Sequence, residues 1–288
     1  MGGEFKAALL PRLLALTLGC SVSALAVAPA LAEEQDLLAS IKARSEFVVG
    51  TEARYAPFEF VENGEIVGYS ADVIARVMEV FPDIKLNRLD LPFQGILPGL
   101  QAKKFDYVVT SIVADKVRYE KFALSAPIAD ATVALIKRKS DASINTSEDV
   151  AGKIIGTQAG SVPLGDVNAF AEKLRAQGTP VKEVKTYVGF EEAYADLMAG
   201  RIDAVANTLP ALFMLKQKRA ADFEIVQPPF GPSRYITWAG RNDEDSAGLV
   251  RKINERLQEL NKNGVLAELQ KKWIGNSVDL PLTLPAPQ

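Results

Sequence analysis

The 288-residue chain carries a formal net charge of −3, one cysteine and no histidine. A mildly acidic chain without basic runs argues against a nucleic-acid partner. The lack of histidine excludes Ser-His-Asp and Cys-His catalysis and all His-ligated metal sites, so we predict no metal and no other cofactor.

The first residues have the layout of a secretory signal peptide. A weakly positive start precedes an apolar run over residues 13–27, and a small-x-small cleavage pattern ends at Ala32. The run is interrupted around Cys20 and is shorter than the ~20 residues that a membrane span needs. We therefore predict that residues 1–32 are cleaved and that the mature protein is periplasmic. A transmembrane anchor and a lipid anchor on Cys20 are the alternatives.

Cleavage would remove the only cysteine, which leaves a mature chain without intramolecular disulfides. Its roughly 255 residues are enough for one large or two medium domains. Strands and helices alternate through most of them, and this alternation predicts an α/β fold with mainly parallel sheets.

The elements nearest the new N-terminus can be read in chain order. A short strand covers residues 47–50, and Asn63-Gly64 between two extended segments predicts a hairpin turn. A helix follows Ser70 and ends before Pro82, and a strand resumes at residues 84–89. Near the other end, residues 246–274 are helical by pattern with a break at Gly264, and we expect them to pack on the first lobe.

An internal repeat relates residues 93–108 to residues 190–205, where Phe, Leu, Ala, Asp and Val match at one constant offset. Each copy predicts a helix, a tight turn and a buried strand. The first strand is predicted to end at Thr110-Ser111 and the second at Asn207-Thr208. Because open α/β sheets bind ligands beyond the carboxyl ends of their strands, the repeat predicts two lobes with facing polar residues. Chance similarity of two common units is the alternative.

The chain is predicted to cross between these lobes twice, near residues 128–134 and 232–236. Lobe 1 would then be discontinuous, with residues 33–128 and 236–288, and lobe 2 would cover residues 134–232. Two strands that cross between two lobes make a hinge.

Arg118 is the candidate for binding an acid group, because a guanidinium fork suits a carboxylate better than any other side chain. Thr110 and Ser111 offer donors close by in sequence. In the second lobe, residues 156–161 lie between a strand and a helix, where backbone amides can hold an anion. The alternatives are a solvated surface arginine and an ordinary strand-to-helix turn.

Two aromatic residues lie in predicted loop mouths. Tyr55 precedes Pro57 and Phe93 follows Pro92, so both are placed to sandwich an organic ligand, whereas Phe58 is predicted to be core. Glu52 follows the first strand and is either a surface carboxylate or a partner for the cationic end of a ligand.

Together these segments resemble the family 3 solute-binding proteins, the periplasmic amino-acid-binding proteins of bacterial ABC importers. The segments that carry the resemblance are VVGTEARYAPFEF, GEIVGYSADVIARVM, FQGILPGLQAKKFDYVVTS, KVRYEKFALSAP, AGKIIGTQAGS, AGRIDAVANTLP and NGVLAELQKKW. The resemblance implies a two-lobed periplasmic binding protein fold of type II, in which each lobe is a mixed, mainly parallel sheet flanked by helices. It also implies two hinge strands and no catalytic residues.

The resemblance also implies ligand contacts. The ligand carboxylate would be bound by Arg118, Ser111 and Ser161, and the ligand would be bracketed by Tyr55 and Phe93. The polar or amino end would face Glu52, Thr110, Gln158, Asn207 and Thr208.

Two positions depart from the family pattern. Val113 stands where a hydroxyl is usual, and Thr208 stands where an aspartate usually binds the α-ammonium group. The missing aspartate removes a charge-assisted contact of roughly 1.5–3 kcal/mol. Glu52 would then supply the negative charge, or the amine of the ligand would be modified, moved or absent.

The implied function is capture of a small carboxylate-bearing, amino-acid-like molecule and its delivery to an ABC permease in the inner membrane, by a protein expected to be a monomer. One alternative is an enzyme that resembles periplasmic cyclohexadienyl dehydratases, with Glu52 as its candidate acid or base. A sensory domain is a third and less favoured interpretation, since no membrane segment or output domain follows Trp273.

Overall fold

The computed structural model describes residues 36–287, so the predicted signal peptide lies outside the described residues. The described residues belong to one compact unit. Within residues 36–287, no helix has both the length and the apolar character needed to cross a membrane.

The described residues form nine α-helices, which are α1 (Leu37–Arg44), α2 (Tyr69–Met78), α3 (Phe93–Gln101), α4 (Lys116–Lys121), α5 (Val162–Ala176), α6 (Phe190–Met198), α7 (Leu209–Lys218), α8 (Glu244–Lys262) and α9 (Val265–Ile274). They form fourteen strands, which are β1 (Glu46–Thr51), β2 (Arg54–Tyr55), β3 (Glu59–Glu62), β4 (Glu65–Val67), β5 (Lys85–Asp90), β6 (Tyr107–Val113), β7 (Phe122–Leu124), β8 (Ala129–Asp130), β9 (Val133–Arg138), β10 (Ile154–Gln158), β11 (Glu183–Tyr187), β12 (Ala204–Thr208), β13 (Phe223–Val226) and β14 (Tyr235–Arg241).

Two mixed sheets organise the chain, as the predicted fold class requires. The first has the strand order β5-β1-β6-β14-β7, with β8 paired to β14, and the second has the order β11-β10-β12-β9-β13. In each sheet a central strand, β1 or β10, has parallel neighbours on both sides, while β14 and β9 run antiparallel to theirs. We call the first sheet with helices α1–α4, α8 and α9 lobe 1, and the second sheet with α5–α7 lobe 2.

The chain changes sheet at two places. Strand β8 belongs to the first sheet and β9 to the second, while β13 belongs to the second and β14 to the first. These changes lie near the predicted crossings at residues 128–134 and 232–236. They support the predicted lobe boundaries.

Two predicted boundaries are wrong. Strand β6 does not end at the two hydroxyl residues but continues to Val113, because Ile112 and Val113 pair with β14. Strand β10 extends to Gln158, which pairs with β11, so half of the predicted loop at residues 156–161 is strand.

Other predicted elements are confirmed. Asn63 and Gly64 both have positive φ in the tight turn between β3 and β4. The repeat consists of the helix-strand units α3–β6 and α6–β12. Helices α8 and α9 are separated at Gly264, whose φ is +77°, and they pack on α1, α2 and β14 of lobe 1.

A close helix-to-sheet contact positions the start of α3. The ring of Phe105 lies so near to Gly50 on β1 and Gly99 on α3 that a Cβ at either glycine would approach it to 2.6 Å or 2.7 Å. The two glycines therefore let α3 lie close on the sheet. Phe93 and Gln94, at the N-terminus of α3, are held at the edge that faces lobe 2.

Candidate ligand-binding site

Arg118 lies where lobe 1 meets lobe 2. Arg118 is in the first turn of helix α4, and Asp115 caps the helix by accepting a hydrogen bond of 2.7 Å from the Arg118 backbone amide. The side chain is buried, with the residue only 7% exposed. Its Nη1 donates to the Val113 carbonyl at 2.9 Å, and its Nη2 donates to the Gly160 carbonyl at 3.0 Å. The guanidinium therefore joins a backbone oxygen of lobe 1 to one of lobe 2.

The guanidinium also lies 5.6 Å from the centre of the Phe93 ring, within the range of a cation–π interaction. Burial lowers the pKa of Arg118 from its ordinary value, and the nearby Asp115 carboxylate opposes that shift. Because arginine has a pKa above about 12 in water, it is well suited to carry a charge in such a buried place.

The hydroxyl residues at the middle of β6 bind a buried carboxylate, Glu59. Thr110 Oγ1 donates to Glu59 Oε1 at 2.5 Å, and the Ser111 amide donates to the same oxygen at 2.8 Å. Burial raises the pKa of Glu59 to about 7, although these hydrogen bonds favour the ionised form. Thr110 and Ser111 are predicted ligand contacts, whereas Glu59 is not among the residues predicted from the sequence.

Glu52 is a second buried carboxylate and is only 3% exposed. Its Oε1 accepts a hydrogen bond of 2.6 Å from Gln158 Nε2 of lobe 2, and its amide donates to Thr110 Oγ1 at 3.3 Å. Burial, with the charge of Glu59 as a second cause, raises the pKa of Glu52 to about 8. Thr110 thus contacts the carboxylate of Glu59 and the backbone amide of Glu52, and both acids gain a proton more readily than an exposed glutamate.

The Tyr55 hydroxyl crosses from lobe 1 to the end of β12. It donates to Asn207 Oδ1 at 2.8 Å and lies 2.8 Å from Thr208 Oγ1. Its ring stacks on Phe58 at 5.5 Å and contacts Phe190 at 5.6 Å between ring centres. Phe58 is fully buried, as predicted, while Phe190 is an aromatic neighbour that the sequence analysis did not place at the site.

The predicted anion-binding turn of lobe 2 is also in contact with lobe 1. Gln94 Nε2 of α3 donates to the Ala159 carbonyl at 2.9 Å and to the Val188 carbonyl at 3.1 Å. Ser161 caps α5, since its Oγ accepts from the Leu164 amide at 3.3 Å and donates to the Gln158 carbonyl at 2.7 Å. Its hydroxyl is therefore engaged within its own turn.

These contacts lie where the two lobes face each other, and we call this region the cleft. It contains the cation of Arg118 and the carboxylates of Glu52 and Glu59. The predicted residues that the structure brings to this cleft are Arg118, Phe93, Ser161, Gln158, Glu52, Thr110, Ser111, Tyr55, Asn207 and Thr208. Glu59, Gln94 and Phe190 are additional members. Within residues 36–287, no group of three or more acidic, histidine or cysteine side chains is arranged to hold a metal ion.

Comparison with known proteins identifies the class of this molecule. The family model for bacterial extracellular solute-binding proteins, family 3, matches residues 47–189 and 165–276. The chain belongs to this family. The resemblance predicted from its sequence segments is confirmed, and with it the description of the chain as an extracellular solute-binding protein.

Individual relatives of this family member agree in size and fold. The L-cystine-binding protein TcyJ of Escherichia coli K12 is 28% identical over 269 residues, which cover 92% of this chain and 93% of the relative. A substrate-binding protein of an ABC uptake transporter from Streptococcus pneumoniae, solved with bound histidine, superimposes with a TM-score of 0.76 at 26% identity and covers 85% of this chain and 98% of its own. The predicted type II periplasmic binding protein fold is therefore confirmed.

The same comparison bears on the enzyme alternative. An ancestral amino-acid-binding protein, AncCDT-1, described as a precursor of cyclohexadienyl dehydratase, has a TM-score of 0.70 and 25% identity, and the match covers 82% of this chain and 99% of that one. It is itself a binding protein. The relatives named above and the histidine-binding periplasmic protein of Escherichia coli K12 are binding proteins as well, and the family member described here is a non-catalytic binding protein.

Proposed function

We propose that the protein binds a small, carboxylate-bearing, amino-acid-like ligand in the cleft between its lobes and delivers it to an ABC permease. The observation that carries the proposal is the buried guanidinium of Arg118, which contacts both lobes at the point where they meet. The relatives that bind cystine and histidine favour an amino-acid-like ligand.

The carboxylate end is placed at Arg118. Its two hydrogen bonds in the closed structure go to neutral carbonyl oxygens, and a carboxylate would offer it a stronger, charge-assisted and bidentate partner. The Phe93 ring beneath the guanidinium would form one wall for the ligand. Ser161 and the N-terminus of α5 would approach the same group from lobe 2.

The amino end is placed at Glu52 and Glu59, because Thr208 cannot supply the charge of an aspartate. A cationic group between the two carboxylates would replace the Gln158 amide as the partner of Glu52. It would also favour the ionised form of both acids and lower their pKa values. Ligand binding should then release protons near neutral pH, to an extent that depends on the pKa values of about 8 and about 7 in the ligand-free cleft.

The remaining parts of the proposal concern location and assembly. We place the protein in the periplasm after cleavage of residues 1–32, as a monomer that meets inner-membrane permease subunits. The ligand would favour the closed lobes because Arg118 and the turn at Gly160 reach one molecule only when the cleft is shut.

Isothermal titration calorimetry with a panel of amino acids, amino-acid conjugates and simple carboxylates tests the proposal. For the member that binds, Arg118→Ala should weaken binding by at least about thirtyfold, since truncating one partner of a buried charged pair costs about 2–5 kcal/mol. Arg175→Ala is the matched control, because that arginine is exposed and pairs only with Glu172 on its own helix.

Repeating the titration in two buffers with different ionisation enthalpies measures proton release. Release that disappears in Glu52→Gln would support the amino end at the carboxylates. Equal affinity of the wild-type protein and Arg118→Ala for the same ligand would refute the proposed carboxylate site.

A further inference from the structure

A second cavity lies beside the cleft, on the lobe 2 side of Tyr55. Its volume is about 220 Å³, and its walls come from both lobes. Lobe 1 contributes the backbone and side chains at Arg54 and Tyr55, and lobe 2 contributes residues of α6 and α7. Arg118, Phe93 and Glu52 do not line it. The cavity therefore shares Tyr55, Phe190 and Asn207 with the cleft but lacks the residues proposed to bind the carboxylate and amino ends of the cleft ligand.

The interior of this cavity is apolar and aromatic. Three rings, those of Tyr55, Phe190 and Tyr194, line it, and Ala211 and Met214 of α7 complete the wall. An apolar cavity of about 150 Å³ is large enough to hold a benzene ring. A volume of about 220 Å³ therefore has room for one aromatic ring with a short side chain. Rings packed against rings in offset or edge-on arrangements stabilise such a complex beyond the area they bury.

The polar groups inside the cavity already have partners. Asn207 Nδ2 donates to the Tyr194 hydroxyl at 2.9 Å, and Asn207 Oδ1 accepts from the Tyr55 hydroxyl. The Tyr55 hydroxyl and the Asn207 amide therefore already donate hydrogen bonds within the cavity wall, and a bound ring need not replace either bond. The interior selects for apolar surface rather than for hydrogen-bonding groups.

The rim of the cavity is charged, with Arg54, Lys218 and Glu191 exposed around it. Arg54 is held by Asp90 at 3.2 Å. Lys218 Nζ lies 5.3 Å from the centre of the Phe60 ring, and no carboxylate of residues 36–287 lies within 4.0 Å of it. Because Asp90 balances Arg54 and Glu191 is the second acid, the rim has no excess of either charge, and Lys218 is the rim cation that can bind an acidic group of a ligand.

We propose that this cavity is a second ligand site, which binds a small aromatic carboxylate with its ring among Tyr55, Phe190 and Tyr194 and its acid group at Lys218. The site exists in this form only while the lobes are closed, because both lobes line it. Its occupant stabilises the closed arrangement and raises the affinity of the cleft for its own ligand, as any coupling between two sites is reciprocal.

The probe is 3-phenylpropionate, titrated calorimetrically into the purified protein with no cleft ligand present. Its controls are 2-phenylethylamine, which has the ring and the opposite charge, and propionate, which has the acid group and no ring. We expect binding of 3-phenylpropionate alone. Lys218→Glu should reverse the preference toward 2-phenylethylamine, while Lys216→Glu, which changes the same charge on the same helix outside the cavity, should leave it unchanged.

Two further variants separate this site from the cleft. Ala211→Phe fills the cavity and should abolish binding of the probe. Arg118→Ala removes one hydrogen bond between the lobes and should weaken probe binding by no more than about tenfold. If Ala211→Phe does not fold, the ligand preference of the Lys218→Glu variant still tests the proposal, because Lys218 is exposed. Loss of probe binding in Arg118→Ala with retention in the Lys218→Glu variant would place the probe in the cleft and overturn the proposal. The absence of any binding at millimolar concentration would overturn it as well.

Discussion

Two polar pairs, one in each lobe, occupy equivalent positions in the internal repeat but bind different partners. Thr110 and Ser111, at the middle of β6, donate to Glu59, which belongs to the same lobe. Asn207 and Thr208, at the end of β12, contact the Tyr55 hydroxyl, which comes from the other lobe. The pair on β6 therefore has its partner within its own lobe, and the pair on β12 depends on closure.

This difference assigns distinct tasks to the two halves of the site. We call Glu59 and Glu52, together with Thr110 and Ser111 at the middle of β6, the acidic floor. Its hydrogen bonds to Glu59 lie within lobe 1 and remain when the cleft opens. The β12 end would lose its partner on opening and would bind water instead. We expect changes at the first to alter the stability of lobe 1, and changes at the second to alter the balance between open and closed lobes.

The largest expected effect is the pH dependence caused by the two carboxylates of the floor. Their pKa values, about 8 for Glu52 and about 7 for Glu59, lie above the 4.5 of an exposed glutamate. Between those limits the folded protein binds more protons than the unfolded chain, so its free energy of unfolding falls as the pH rises. We expect a loss on the order of a few kcal/mol between about pH 5 and about pH 9.

Urea denaturation across that pH range measures this loss. The chain has no histidine, so no imidazole titrates in the window. Glu59→Gln and Glu52→Gln should each weaken the dependence of the free energy of unfolding on pH. Glu62→Gln, which alters an exposed acid in the same hairpin as Glu59, should leave that dependence unchanged. An unchanged profile in both variants of the buried acids would show that the floor is not the titrating element.

A smaller loss is expected from Thr110→Val, which keeps the shape of the side chain and removes its hydroxyl. The Glu59 carboxylate would lose one of its donors in a buried place, at a cost of about 1–3 kcal/mol in the free energy of unfolding. Thr157→Val is the matched control in lobe 2, because that hydroxyl is also buried but donates to a backbone carbonyl at 3.0 Å. Equal losses in the free energy of unfolding for Thr110→Val and Thr157→Val, measured by urea denaturation, would contradict a special role of the acidic floor.

Tyr55→Phe tests the contact between the lobes at the end of β12. It removes the hydroxyl that reaches Asn207 and Thr208, a change of about 0.5–1.5 kcal/mol that acts on closure. Small-angle X-ray scattering of the ligand-free protein should show a larger radius of gyration. In Tyr187→Phe the lost hydrogen bond, 2.7 Å to Asp196, lies within lobe 2, so no change of shape is expected. An identical scattering curve for Tyr55→Phe would mean that this contact does not hold the lobes together.

The smallest effect is expected for Gln94→Ala. Gln94 is exposed and links α3 to two carbonyls of lobe 2, so its loss should raise the ligand dissociation rate by about two- to threefold. Stopped-flow fluorescence measures that rate, and Gln101→Ala, at the far end of the same helix, is the control. A change in the association rate alone would indicate that Gln94 does not act on the closed form.

The sequence predicted the architecture better than the limits of its strands. Alternating strands and helices, the Asn63-Gly64 turn and the break at Gly264 are local signals, and all three are confirmed. The extension of β6 to Val113 was not predictable, because it depends on pairing with Ile236, more than a hundred residues away. Polar residues inside a buried strand resemble a strand end when the partner strand is unknown.

Only part of the site was predictable from the sequence. Arg118 was singled out by its position after a strand, and the structure buries it between the lobes. Glu59 was missed because a single glutamate in a hairpin strand has the pattern of a solvent-facing residue. Phe190 did have a signal in the sequence, because it aligns with Phe93 in the internal repeat and therefore occupies the equivalent position of lobe 2.

The composition of the described chain has a practical consequence at the rim of the cleft. Residues 36–287 contain no cysteine, and Val188, whose carbonyl accepts from Gln94, is 61% exposed. A Val188→Cys variant would therefore carry a single thiol in this range, to which an environment-sensitive fluorophore can be attached. Such a labelled protein would convert lobe movement into an optical signal and allow ligands to be screened before any of them is known.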